Sequence, residues 1–380
     1  MRPIFFLDQG ETLGGAERFL LDFFEILSAR EIEKLSPILV GGKNPQYREI
    51  LRREIPVEKF DFPSVGGGIF QKILAIFKIF SAARKLKKLA KKNGARVFFS
   101  NTPRTAFVIF IAKKFFRLRG KWICFFHDFT VRPRFLLRAI CSSAEILCAN
   151  SVATRNFLRK KIAKKNFSKI KIIENGLDFS KIPQFSPPKK IEKILILGRI
   201  DPRKGQFFAA AAAEILREKK FNFFVVGQNF AADPRTVEYE KKIRDFCAEK
   251  NLQNFHFLPA IKNPFDAIGD ADAVLLLPTE PETFGRVAIE ALAANKLVIA
   301  FDEIGPAEIL RSFENFCADG KFKIEFTFRC EKSARALAKK ILFFAENPQN
   351  LQFCKLGRDF CEQNFSIFET KKRMRAILEK

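Results

Sequence analysis

The sequence predicts an α/β protein of two domains, each a parallel sheet covered by helices, and three observations carry the prediction. Short apolar runs alternate with longer stretches of helical period, the pattern left by strand–helix–strand units. At 380 residues the chain is too long for one comfortable core and fits two domains of ordinary size. A polar stretch bearing Pro183, Pro187 and Pro188 interrupts the alternation near the middle, and consecutive prolines deny helix and central strand alike.

In order along the chain, strands are expected at Pro3–Leu7, Pro37–Val40, Val57–Phe62, Arg96–Ser100, Lys121–Phe126, Glu145–Ala149 and Lys169–Ile173. They define an N-terminal domain over residues 1–180, followed by a linker at 181–190. The alternation restarts at Lys193–Leu197, Phe223–Val226, Asn254–Leu258, Ala273–Leu277 and Leu297–Phe301, which define a second domain over 191–365. Residues 366–380 combine helical spacing with basic side chains and read as a terminal helix able to pack back on the N-terminal domain. Two such domains imply a cleft. No internal repeat or low-complexity segment is visible.

The balance of 68 Lys and Arg against 42 Asp and Glu gives a formal charge of +26, so the field around the protein attracts polyanions such as nucleic acid or an anionic membrane surface. The absence of zinc-finger spacing and of an RNA-binding aromatic signature argues against nucleic acid. An anionic surface at the inner membrane leaflet suits the charge better. No apolar run reaches the roughly 18–20 residues that span a bilayer, and the first residues read as a strand rather than a secretory signal. The expectation is a cytoplasmic protein, peripheral to the membrane at most. Eight cysteines lie scattered without metal-ligand spacing and read as small buried hydrophobes. The segment 69–92 carries Ile73, Leu74, Ile76, Phe77, Ile79 and Phe80 before Arg84, Lys85, Lys87, Lys88, Lys91 and Lys92. It is either a crossover helix packed by its apolar half or a helix lying on anionic lipid.

In open parallel sheets, ligands bind beyond the carboxyl ends of the strands, where loops and helix N-termini present backbone N–H groups. The first such turn runs from Asp8 through Gly10 to Gly14, Gly15, Ala16 and Glu17. Gly14 and Gly15 let the backbone approach a phosphate or sugar, or simply loosen the turn before a helix. A second turn, Gly198-Arg199-Ile200-Asp201-Pro202-Arg203-Lys204-Gly205, sets fixed cations beside a glycine. Arg199 and Lys204 there can face a diphosphate, and their benefit grows as the leaving phosphate accumulates charge.

The third turn, Thr279-Glu280-Pro281-Glu282-Thr283-Phe284-Gly285-Arg286-Val287-Ala288-Ile289-Glu290, has one carboxylate before a helix and another within it. At ~1.5 Å per residue, Glu290 lies roughly 7–8 Å along the axis from Gly285, a spacing that suits one extended ligand. Glu282 can accept from sugar hydroxyls and Glu290 from ribose hydroxyls, while backbone N–H groups from Phe284, Gly285, Arg286 and Val287 meet a diphosphate. His127 ends a strand, where its side chain would project into the cleft. His256 lies within an apolar strand and reads as structural. Asp270-Ala271-Asp272 precedes its strand, at the wrong sheet edge for a ligand, so no metal site is expected.

Taken together, these turns resemble the retaining GT-B glycosyltransferases, specifically glycosyltransferase family four, over nearly the whole chain. Glu282 to Glu290 resembles that family's E-x7-E element, Gly14-Gly15-Ala16-Glu17 its first glycine turn, and His127-Asp128 its strand-end histidine. Asn150-Ser151, Asn175-Gly176-Leu177-Asp178 and Gly305-Pro306-Ala307-Glu308 look like its further turns. Gly198-Arg199 through Lys204-Gly205 is similar to its cationic diphosphate site. Leu258-Pro259-Ala260 departs from the pattern, since a glycine commonly follows that strand. The resemblance implies two Rossmann-like domains facing an inter-domain cleft, with a nucleotide-diphosphate sugar as substrate and no cofactor or metal. It further implies Arg199 and Lys204 on the diphosphate, Glu282 on the donor sugar, Glu290 on the ribose and His127 near the transferred sugar, with retention at the anomeric carbon. The acceptor would be a glycan or lipid-linked molecule of cell-envelope synthesis. A nucleotide-sugar epimerase of the same fold, or a non-catalytic basic adaptor binding membrane or RNA, are the alternatives.

Overall fold

The computed structural model describes residues 3–9, 14–41, 55–64, 68–129, 133–319 and 326–379. The chain forms two compact units, Met1–Gly176 with Ile367–Lys380, and Leu177–Ser366.

The first unit is built on a seven-stranded sheet of β1 (Ile4–Asp8), β2 (Pro37–Gly41), β3 (Val57–Glu58), β4 (Val97–Ser100), β5 (Lys121–Phe126), β6 (Ile146–Ala149) and β7 (Ile170–Ile172), in the order β3-β2-β1-β4-β5-β6-β7. Every pairing is parallel. β1 and β2 are buried along their whole length, as strands covered by helices on both faces must be. Those helices are α1 (Gly15–Glu25), α2 (Ala29–Leu35), α3 (Ile69–Asn93), α4 (Pro103–Phe116), α5 (Arg134–Ser143) and α6 (Val152–Lys161). Side-chain caps start several of them: Ser28 before α2, Thr102 before α4 and Ser151 before α6, each satisfying an otherwise orphaned N–H. Phenylalanine fills the layer beneath α1, where Phe6 meets Phe24 and Phe99 with ring centroids 5.0 and 5.3 Å apart.

The second unit carries six parallel strands, β8 (Lys193–Leu197), β9 (Asn222–Val226), β10 (Phe255–Leu258), β11 (Ala273–Leu276), β12 (Leu297–Phe301) and β13 (Arg329–Cys330), ordered β10-β9-β8-β11-β12-β13. Around them lie α7 (Gln206–Ile215), α8 (Pro234–Glu249), α9 (Pro264–Ile268), α10 (Arg286–Ala293), α11 (Pro306–Asp319), α12 (Ala334–Glu346) and α13 (Gly357–Asn364). Each sheet reverses its strand order once, between β1 and β4 and between β8 and β11; such switch points open a crevice at the carboxyl edge.

Four sequence expectations need adjustment. The strand expected over Val57–Phe62 pairs only at Val57 and Glu58; beyond them the chain leaves the sheet edge and buries Phe62 ring to ring with Phe60, 4.8 Å apart. β13 was not expected, because two residues at a sheet edge leave no periodic signal. The apolar half of α3 is not packed throughout: Ile79 is buried, whereas Ile73, Leu74, Ile76 and Phe77 are exposed. Residues 181–190, read as a linker, lie within the second unit. There Ile182 is buried and Phe185 covers the core, while Arg358 donates to the carbonyls of Phe179 and Ile182 at 3.1 and 3.3 Å.

The last helix, α14 (Ile367–Leu378), belongs to the first unit. Met374, Ile377 and Leu378 join its core under α1, and Lys371 and Arg375 pair with Glu31 at 3.2 and 2.8 Å. All eight cysteines are unpaired and seven are buried.

Candidate active site

At the switch point of the second unit, β8 ends in a turn that only glycine can begin. Gly198 has φ +135°, and nothing lies within 4 Å of where a Cβ would stand, so the backbone opens onto free space. Arg199 follows, exposed, and its guanidinium makes no hydrogen bond or ion pair among the described residues. Asp201 caps the short turn Pro202–Lys204 and holds Arg203 in a fork, at 3.0 Å to Nε and 2.7 Å to Nη2. Burial raises the Asp201 pKa, but the Arg203 hydrogen bonds outweigh it and hold the carboxyl below its ordinary range. One cation of this run is therefore committed to building the loop.

Lys204 points elsewhere, its Nζ 3.0 Å from both carboxylate oxygens of Glu282 in the turn after β11. The two loops are bolted by Thr279, which donates from its N–H to the Arg203 carbonyl at 3.0 Å and from its hydroxyl to the Pro202 carbonyl at 2.9 Å. A third turn, after β12, closes from the other side. Gly305, at φ +96°, comes so near that a Cβ would stand 2.3 Å from the Glu282 carbonyl oxygen. The position of Glu282 is thus set by backbone contacts from both flanks.

α10 opens at Gly285 with φ +90°. Phe284 is buried and packs edge-on against Phe365 at 5.7 Å, so only its backbone can face a ligand. Val287 packs partly buried on the core. Glu290 is buried and accepts from Arg286 Nε at 2.8 Å, one turn earlier on the helix. Each predicted carboxylate therefore rests against a cation, and Arg286, expected to serve through its N–H, also contributes its guanidinium.

Beside this crevice, at the carboxyl ends of β9 and β10, lies a pocket of about 620 Å³ whose lining includes Gly227, Asn229, Phe230, Glu240, Arg244 and Phe257. Its rim is continuous with the Gly198 turn, since a Cβ on Gly227 would meet the Gly198 carbonyl at 2.0 Å. Glu240 accepts from Asn229 at 2.8 Å and from Arg244 at 2.7 Å, and the Arg244 guanidinium lies 4.0 Å over the Phe257 ring. Leu258 and Pro259, at the departure from the glycine pattern, form part of the wall.

The switch point of the first unit holds a polar relay that sequence reasoning missed. Asp8, ending β1, and Asn101, after β4, are both buried. The Asn101 amide donates to Asp8 and, at 2.9 Å, to the Ala16 carbonyl. Its oxygen is thereby the acceptor for His127 Nε2 at 2.8 Å, which places the imidazole proton on Nε2. The His127 ring stacks on Phe125 at 4.2 Å. Burial beside Phe125 and Phe19 pushes its pKa down to about 3, so the ring is neutral at physiological pH, although the residue as a whole is half-buried. The only cue in the sequence was Asn101-Thr102-Pro103 at a strand end.

Gly14 donates its N–H to Glu17 at 2.9 Å and Gly15 has open space at its Cβ position; the preceding residues 10–13 lie outside the described residues. His256 stacks on Phe224 at 5.0 Å, within 3.4 Å of Asn222. Asp272 accepts the N–H groups of Glu192 and Lys193 at 2.9 and 2.8 Å, and Asp270 pairs with Lys193 at 3.1 Å. Among the described residues no group of three or more potential metal ligands converges.

Residues 13–181 match the model of glycosyltransferase family 4, and residues 178–357 match that of glycosyl transferases group 1. No curated protein sequence matches the chain. Among solved structures, HepE from Anabaena in complex with UDP-glucose is 21% identical with a TM-score of 0.79, all of each chain being covered. Sucrose-phosphate synthase from Thermosynechococcus elongatus is 18% identical with a TM-score of 0.79, covering 100% of this chain and 98% of that one. The lipopolysaccharide outer core galactosyltransferase WaaB is 13% identical with a TM-score of 0.69, covering 100% and 99%. At such identities the likeness is one of fold. With the two family models together running from residue 13 to residue 357 over two parallel-sheet units, the chain belongs to the GT-B glycosyltransferases of family four, group 1.

Proposed function

We propose that the protein moves a sugar from a nucleotide-diphosphate donor to a glycan or lipid-linked acceptor, with retention and without a metal, in the synthesis of cell-envelope polysaccharide or glycolipid. The observation that carries the reading is Lys204 astride the Glu282 carboxylate at 3.0 Å, beside the open Gly198 turn and the uncommitted Arg199. A diphosphate arriving there offers Lys204 a more highly charged partner. Lys204 and Arg199 then hold the β-phosphate, and the released Glu282 carboxylate accepts from the donor sugar's hydroxyls. Glu290, held by Arg286, accepts from the ribose, and the base enters the pocket lined by Gly227, Phe230 and Phe257. UDP is the first nucleotide to try, since structures of similar fold bind UDP and UDP-glucose.

In the transfer the anomeric C–O bond to the β-phosphate breaks while the acceptor oxygen bonds to the same carbon from the same face. As that bond breaks its electron pair stays on the departing phosphate oxygen, so charge builds on the diphosphate where Arg199 and Lys204 stand, and the acceptor's proton then passes to that oxygen. Cations that bind this charge more strongly in the transition state than in the ground state accelerate the step. In this reading the neutral His127, oriented by Asn101, is assigned a contact with the transferred sugar and no net proton transfer.

The test is a thermal-shift screen of UDP-, GDP- and ADP-sugars in the presence of a chelator. A donor at 100 times its Kd stabilises by about 2.7 kcal/mol, which for a unit of this size is a rise of about 5–10 °C. One nucleotide class should produce it. If none does, the reading is wrong.

A further inference from the structure

α3 and the end of α4 form an outward surface that the sugar chemistry does not use. From residue 62 to residue 127 the chain has no Asp or Glu and fifteen Lys or Arg, so over half of the net charge of +26 comes from this one segment. α3 buries Ala75, Ile79, Ala82, Ala83, Leu86 and Ala90 against its own unit. By helical period Ile73, Phe77, Arg84, Lys88 and Lys91 share the opposite, outer face, and all five are exposed. Phe77 is 69% exposed and Phe115, at the end of α4, is 57% exposed. Phe80 links the two helices, its ring centroid 5.1 Å from that of Phe115. Among the described residues Arg84, Lys88 and Lys91 have no carboxylate partner.

We infer that this face docks the protein on an anionic phospholipid bilayer, with α3 lying obliquely. Its apolar end, Ile73, Phe77 and Phe115, enters the headgroup–acyl boundary, and Arg84, Lys88 and Lys91 lie among the lipid phosphates. Phe77 and Lys88 are separated by about 16 Å along the axis at ~1.5 Å per residue, enough for the two ends to occupy different depths of the interface. The pattern fits lipid better than nucleic acid, because the exposed aliphatic side chains of Ile73, Leu74 and Ile76 offer a phosphate backbone nothing, whereas an acyl boundary covers them. No described helix is long and apolar enough to cross the membrane, so contact would be from one side. The inference goes beyond the transferase reading and does not need it.

Cosedimentation of the full chain tests it, with vesicles of phosphatidylcholine alone and with about 30% phosphatidylglycerol. Binding is expected only to the anionic vesicles, falling steeply between about 0.1 M and 0.5 M salt. The triple variant R84Q/K88Q/K91Q should bind about a hundredfold more weakly, at about fivefold for each cation removed. The variant I73N/F77S should also lose most binding. Both should keep the wild-type melting temperature and whatever donor-induced shift the wild type shows, which separates failure here from failure of the sugar-donor assignment. The inference is overturned if the wild type ignores anionic vesicles or if the triple variant binds them equally. It is also overturned if I73N/F77S retains full vesicle binding, or if a short single-stranded RNA competes the vesicles away and binds that variant as tightly as the wild type.

Discussion

Replacing Lys204 with alanine separates two roles that one ion pair could have. The pair joins side chains that are 42% and 26% exposed, and pairs so accessible to water contribute about 0.2–1 kcal/mol to stability. The melting temperature of Lys204→Ala should therefore fall by no more than about 2–4 °C. Its effect on the donor should be much larger, because a hydrogen bond between charged groups is worth about 1.5–3 kcal/mol. UDP or the UDP-sugar should bind roughly tenfold to a hundredfold more weakly by calorimetry. Glu282→Gln completes the comparison. It frees Lys204, so UDP alone should bind at least as tightly as before, while the advantage of UDP-sugar over UDP shrinks. If Lys204→Ala melted far lower yet bound the donor normally, the pair would be a structural bolt and the reasoning would fail.

Three further outcomes follow from the geometry. Gly305→Ala should lower the melting temperature and weaken donor binding together, since its Cβ would stand 2.3 Å from the Glu282 carbonyl at φ +96°, whereas Gly15→Ala, with open space around it, should leave melting unchanged and lower activity only where a ligand needs that space. His127 has a pKa pushed down to about 3, so the folded state binds fewer protons than the unfolded one below the unfolded value of about 6.5; stability should decline as pH falls from there toward 3, and His127→Gln should flatten that slope in pH-dependent melts. For Glu31, burial raises the pKa, but hydrogen bonds from Ser28 and the Lys371 ammonium prevail and hold it at about 2. Its stabilisation is present above the unfolded carboxylate value and is lost as pH drops through about 2. With solvent screening it amounts to about 1–2 kcal/mol, and Glu31→Gln should remove it at neutral pH, loosening α14 in amide hydrogen exchange.

Strands were legible wherever apolar runs ended in glycine, asparagine or proline, because buried parallel strands must be continuously apolar and their turns need special backbone. Legibility failed at the sheet edges. Val57–Phe62 has the composition of a strand, but Phe62 is buried in irregular chain with Phe60 half-buried beside it, and Arg329–Cys330 is too short to leave a period. The turns carrying Gly198, Lys204, Glu282 and Gly285 could be read locally. Their contacts could not: Lys204 reaches Glu282 across 78 residues, and Asn101 reaches Asp8 across 93. Composition reports that a residue is polar and buried, not which distant amide it meets.

The return of α14 to the first unit gives the chain a nested order. The polypeptide leaves that unit at Gly176 and re-enters it at Ile367, and the outgoing and incoming segments run side by side, with Leu177 bridged to Ser366. A Cβ on Gly176 would fall 2.5 Å from the Ile367 Cα, so only the smallest residue lets the two crossings touch. The second unit is thus an uninterrupted segment that could be excised whole, whereas cutting the gene after residue 366 would strip the first unit of Met374, Ile377 and Leu378 and leave a greasy trough where they had been. A stop codon in the last dozen positions would damage the half of the protein farthest from it in sequence.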